Sequence, residues 1–251
     1  MNTRSQMLCL WCGPAAIVIF LVGFWVVAGL VPVPSPSDSP REIQEIYQGN
    51  TDGIRTGLLM TMIAGALTGP WVAAISTQLK RIEGHYSPLT YTQLGMGMLG
   101  VLLFIFPCFM METVAFRPDR DPELMQLIND AAFLPFIGAF MPAVLQNIAI
   151  GICIFKDTEQ KVLPRWLGYF NLWVALLFVP AALIYFFKDG PFAWNGVFCF
   201  WLPLSIFSLW FGVMFVALRK AILNQKPDEP EAPAKVEPVV AEPEKQQVVP
   251  A

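Results

Sequence analysis

KDTEQKVLPRWLGY, residues 156 to 169, is a short charged interruption between two long apolar runs. A loop this brief, carrying Lys156, Lys161 and Arg165 between such runs, reads as the point where a chain leaves a membrane and re-enters it. A second stretch, KRIEGHYSPLTY at residues 80 to 91, has the same build. Each reads Lys, two residues, Glu, four residues, Pro, and then an aromatic-bearing entry into the next apolar run.

Composition agrees with a lipid-embedded chain. Of 251 residues, 55% are hydrophobic and only 14% charged, against roughly a quarter charged in soluble proteins, and mean hydropathy is +0.55. Apolar runs fall at about 8–31, 56–79, 89–111, 131–155, 167–187 and 192–218, each long enough to cross a hydrocarbon core of about 30 Å as a helix. The short alternating strands of a membrane barrel are not found, and a lone apolar run in lipid must satisfy its own backbone hydrogen bonds. The expected fold class is therefore all-α, a six-helix transmembrane domain over residues 1–223. Residues 224–251, rich in Pro and Glu, cannot bury a core and are expected to form a disordered cytoplasmic tail.

Basic residues set the expected orientation. Arg4, Lys80, Arg81, Lys156, Lys161, Arg165, Arg219, Lys220 and Lys226 would share one side, and Arg41, Arg55, Arg117, Arg120 and Lys188 the other. The first group is larger and occupies the shorter loops, which places both termini in the cytoplasm.

Both long loops on the opposite side carry a helix-start signal. Ser39, Pro40 and Glu42 have the spacing of a capping box with Pro at the first helical position, and Ile43 and Ile46 give the helix an apolar edge. Asp121, Pro122 and Glu123 repeat the cap. Outer helix, inward span, charged loop and outward span thus occur twice, which predicts a parallel repeat of two helical hairpins related by an axis along the membrane normal.

Six spans, long loops after the first and third, and Pro164-Arg165-Trp166-Leu167-Gly168 at the entry to the fifth resemble an uncharacterised family of six-span bacterial integral membrane proteins, a domain of unknown function. The resemblance covers the chain to about Leu223. It implies a location in the bacterial inner membrane and transfers no catalytic residues.

Few residues offer chemistry. Ionisable side chains deep in a span would point to transport or a proton relay, but Glu112, Asp130, Lys156 and Lys188 all fall near span ends. Five cysteines, an odd number, sit mostly within apolar runs and do not form a disulfide framework. Cys9-x-x-Cys12 opens a span, and His85 stands alone in a loop, so neither builds a metal site. No nucleophile elbow, phosphate loop or basic nucleic-acid patch is present; no cofactor and no nucleic-acid partner are expected.

The interior polar candidates are Gln146 and Asn147, midway along the fourth run, followed by Thr61 and Thr68 in the second and Ser205 and Ser208 in the sixth. An amide in hydrocarbon needs a partner, so Gln146 and Asn147 either bond neighbouring helices or line a cavity, with Pro142 one turn earlier loosening the local backbone. These features predict a non-enzymatic accessory or sensing protein that binds a partner membrane protein or an apolar small molecule, with membrane lipids around it. The alternative is a small permease or channel with its polar site in the fourth span.

Overall fold

A computed structural model describes residues 2–225. The expected tail lies outside the described residues, apart from Asn224 and Gln225, which belong to the helical body. Among the described residues there is no strand, and the chain is an all-α, multi-pass membrane protein of six spans.

The first span is α1 (Thr3–Phe20) continued by a π-helical segment, Leu21–Val27. Asn2 caps it, its side chain accepting from Ser5 N at 3.1 Å. Gly29, at φ +66°, ends it short of the Val31 expected from hydropathy, because a left-handed residue reverses the chain at no steric cost to glycine. A short helix α2 (Pro40–Gly49) precedes the second span, α3 (Thr51–Glu83), and α4 (Pro88–Ala115) is the third. The fourth is broken into α5 (Pro122–Gly138) and α6 (Met141–Lys156). The fifth is α7 (Arg165–Phe178) followed by a 3-10 turn, Val179–Tyr185, and the sixth runs through a π segment, Val197–Trp201, into α8 (Leu202–Leu223).

Several helices outrun their apolar windows. At 33 residues, α3 would rise about 50 Å, so Asp52 and Arg55 at one end and Lys80 and Arg81 at the other stand beyond the hydrocarbon. Hydropathy sees only the middle of such a helix.

The bundle is organised around α3, which packs against α1 and α4, while α6 lies between α4 and α7, and α8 returns to α1. Close approach is written in glycine: at Gly57 a β-carbon would fall 2.7 Å from the Ala28 β-carbon, so the end of the first span can lie on α3 only because that atom is missing. Two apolar clusters fill the interior. One, around Phe24, Tyr47, Leu58, Met111 and Phe133, lies toward α2; the other, around Leu10, Trp71, Ile75, Ile150, Leu167 and Leu218, lies toward the chain ends.

Polar clasps hold both faces. The capping box forms as expected, with Ser39 N donating to Glu42 Oε2 at 2.7 Å and Glu42 N to Ser39 Oγ at 3.4 Å. With Ile43 and Tyr47 buried, α2 lies on α5, and Gln44 Nε2 donates to Arg120 O at 2.9 Å and Gln48 Nε2 to Pro118 O at 3.0 Å. Opposite, Gln6 Oε1 accepts from Gln78 Nε2 at 2.7 Å and from Gln225 Nε2 at 2.8 Å, joining α1, α3 and the end of α8.

The two charged loops share a spacing but not a wiring. Glu83 accepts from Leu89 N (3.1 Å), Thr90 N (2.9 Å) and Lys156 Nζ (3.2 Å), capping α4 and tying the loops together. Its counterpart Glu159 pairs with Lys161, and Asp157 receives the loop amides instead, Val162 N at 2.8 Å among them. The second hairpin differs from the first in having a broken inward span and no separate outer helix.

Candidate ligand cavity

Several departures from α-helical geometry begin, end or lie beside one space. Phe20 precedes the π segment of span one, Ala139 and Phe140 form the break in span four, Phe178 and Ala181 flank the change to 3-10 in span five, and Phe200 and Pro203 flank the end of the π segment in span six. All of them line a cavity of about 190 Å³ between the two apolar clusters. Local π-helix and broken spans at membrane depth are tolerated where the freed backbone lies inside protein or against a cavity, and they recur at functional sites.

Ten aromatic side chains are among the lining residues: Phe20, Trp71, Phe104, Phe136, Phe140, Phe178, Phe200, Phe207, Trp210 and Phe211. They form a linked wall in which Phe20 meets Phe104 edge-on at 5.4 Å, Phe104 stacks on Phe207 at 5.8 Å, and Phe211 stacks on Trp71 at 5.1 Å. Such contacts fix ring orientations and hold the space open rather than letting it collapse.

Against this apolar lining stand two polar groups with no partner. Trp71 is fully buried, yet its Nε1 has no hydrogen-bond acceptor. A β-carbon on Gly13 of α1 would strike the benzo edge of the indole, at Cε3 and Cζ3. Gln146 is 9% exposed, and its Nε2 is likewise unpaired. Gly97 makes room for it: a β-carbon there would lie 2.7 Å from Gln146 Nε2 and 2.5 Å from a Val72 methyl. The two donors therefore meet the same level of α3. Leaving a buried donor unmade costs about 1–3 kcal/mol, and Trp71 Nε1 and Gln146 Nε2 are closed off from the cavity space as well as from any partner. The uncapped first turn of α6 also borders the cavity through Phe140 and Ala143, adding the partial positive charge of a helix start.

The remaining polar groups on the wall already donate. Trp210 Nε1 gives its proton to Asn171 Oδ1 at 2.9 Å, Thr68 Oγ1 to Gly65 O at 2.6 Å, and Cys199 Sγ to Pro180 O at 3.2 Å.

Of the polar residues expected from sequence, Gln146 and Thr68 line this cavity. Asn147 is buried beside it, with Nδ2 donating to Ala143 O at 2.8 Å and Oδ1 unpaired, but it is not part of the lining. Ser205 is exposed on the outer face of α8. Ser208 bonds back to Leu204 O at 2.9 Å and borders a separate surface groove that also takes in Lys161, Trp166 and Lys220. Gln146, Asn147, Ser205 and Ser208 are not brought together. Pro142 is no mid-helix kink either; it sits in the first turn of α6, after a break that has already occurred. Trp71 was not among the expected residues. Its signal is a tryptophan in the middle of an apolar run, away from the interfacial level where that residue is common.

The fold and cavity together define a six-span α-helical membrane protein with an aromatic-walled pocket. No protein-family model, curated protein or solved structure matches the chain.

Proposed function

We propose that this protein binds an apolar small molecule inside the membrane, in a non-enzymatic accessory or sensing role, and that it resides in a bacterial inner membrane with both termini cytoplasmic. One observation carries the reading: a cavity of about 190 Å³ walled by ten aromatic side chains, with Gln146 among its few polar lining residues. Ligand pockets have this character, mostly apolar with a few placed polar groups that fix orientation. The excess of Lys and Arg in the loops on the side of the termini supports the orientation.

Native mass spectrometry of gently extracted protein tests the binding role. A reproducible small-molecule adduct is expected on the wild type and should be lost in a Gln146→Leu protein that keeps its helical content. A stoichiometric partner chain without a small molecule would instead favour a purely accessory subunit. Lipid turnover by the purified protein, abolished by a point substitution, would overturn the non-enzymatic reading.

The broken fourth span favours a second reading, a small permease, because discontinuous helices whose ends face a central site are a transporter device. It predicts solute flux in liposomes that falls in Gln146→Leu.

A further inference from the structure

We infer that the surface groove between α8 and the loop before α7 binds one anionic glycerophospholipid, at a place separate from the aromatic cavity. The polarity of the groove changes along its length. Leu209, Gly212, Val216 and Lys220, with the cap residue Asn224, lie three or four residues apart on one face of α8 and line it, a run that rises about 22 Å. One leaflet of a bilayer, headgroups included, is about as thick. Toward the middle of the span the lining is apolar, through Leu209, Gly212 and Val216; at the helix end it becomes polar, through Gln160, Lys161, Lys220 and Asn224. An occupant that matches it is greasy over most of one leaflet and anionic at its end.

The fold leaves the apolar part unfilled. Val216 is 67% exposed, and a β-carbon on Gly212 would meet no atom within 4 Å. This glycine therefore opens a slot in the surface of α8, whereas Gly57 admits a neighbouring span. The facing wall is fixed in advance. Asp157 accepts from Lys161 N at 3.1 Å and from Val162 N at 2.8 Å, which pins the loop, and Trp166 stands exposed beside it, as an indole does at headgroup level.

Charge selects the lipid. Lys220 forms no ion pair among the described residues, so its charge stands uncompensated on the rim. Lys161 pairs with Glu159, but an ammonium carries three protons and keeps others for a phosphate. Asp157, the second carboxylate of the loop, has its oxygens turned to the loop amides. Basic pockets beside spans are where anionic headgroups are held.

Native mass spectrometry tests this on the full chain released from nanodiscs that hold equal amounts of phosphatidylglycerol and phosphatidylethanolamine with the same acyl chains. The wild type should retain one phosphatidylglycerol, severalfold in preference to the other lipid. A lysine near an anionic headgroup is worth about fivefold, so Lys220→Gln should cut that retention about fivefold, and adding Lys161→Gln should abolish the preference. Gly212→Leu projects into open space and should block the slot, lowering retention of both lipids; if it does not fold, the lysine substitutions decide alone. Gln146→Leu should leave the lipid adduct intact, which separates the groove from the aromatic cavity. Equal retention of the two lipids by the wild type, or a preference that survives the loss of both lysines, would overturn the inference. Displacement of the lipid by free glycerol phosphate would overturn it too, by marking a phosphate site without a lipid groove. A dimer with no lipid bound would do the same, by placing a second copy of the chain on this face.

Discussion

Trp71 and Trp210 stand 6.2 Å apart, edge to face, and differ in what their N–H groups meet. Trp210 is held by Asn171, which is fully buried and anchored by its own Nδ2 on Leu167 O at 2.8 Å. Replacing Asn171 by the similarly sized Leu should therefore destabilise the bundle by about 1–3 kcal/mol, since it orphans a buried donor. Thermal unfolding in detergent measures this, and Trp210→Phe in the Asn171→Leu background should recover part of the loss because nothing is then left unpaired. At this scale the sequence was partly legible. Gln146 stood out because an amide in hydrocarbon is rare and must be answered. Ser205 and Ser208 misled because α8 is apolar on every side, so no stripe shows which way a residue points; a serine can also satisfy itself on its own helix, as Ser208 does. Trp71 was overlooked because tryptophan is habitually read as an interfacial residue, and its unmet proton is visible only in three dimensions.

At the scale of elements, α2 is the clearest case of local chemistry dictating structure. Losing the Ser39 hydroxyl in Ser39→Ala should weaken the start of α2 by about 1 kcal/mol, read as faster amide exchange in its first turn. The backbone N–H of Ser39, helped by its side chain, bonds Glu42 and holds that carboxyl below the usual carboxylate range. A lowered folded-state pKa means the contribution is fully present above the ordinary glutamate range and is lost as pH falls through the lower folded value. Protection factors of the α2 amides should accordingly drop on acidification in the wild type and respond less in Glu42→Gln. Both caps were readable because they rest on three or four adjacent residues. The interruption at Ala139 and Phe140 was not: Pro135 and Pro142 bracket it, but proline is common in spans. The π segments carry no local mark at all, since LVGFWVV and VFCFW are apolar throughout.

For the whole molecule, six crossings bring both ends of the bundle to one side, and the clasp of Gln6, Gln78 and Gln225 shows them meeting there. Sidedness in the cell is a separate matter and can be measured. Cysteines introduced for exposed Glu45 and Thr158, in a background without the native ones, should react differently with a membrane-impermeant maleimide applied to intact cells: Glu45→Cys labelled, Thr158→Cys protected until lysis. The reverse pattern would invert the proposed orientation. Span number was legible because lipid imposes a length that no other solvent does. The cavity was not, because it depends on which faces of α3, α4, α6 and α8 turn inward, and near-uniform apolarity hides that choice.

The amide clasp also fixes an order of events. Gln6 and Gln225 are 219 residues apart in the chain, which at about 5–20 residues per second is a delay of roughly 11 to 44 s between the synthesis of the two partners. For the later part of that interval, once α3 has been made, α1 has α3 beside it but not α8, and its outward rings, including Trp11, which finally rests on Phe215, must stay in lipid. Bundle closure is thus the last act of insertion, and until then the unfinished chain presents a helix face open to any neighbour in the membrane.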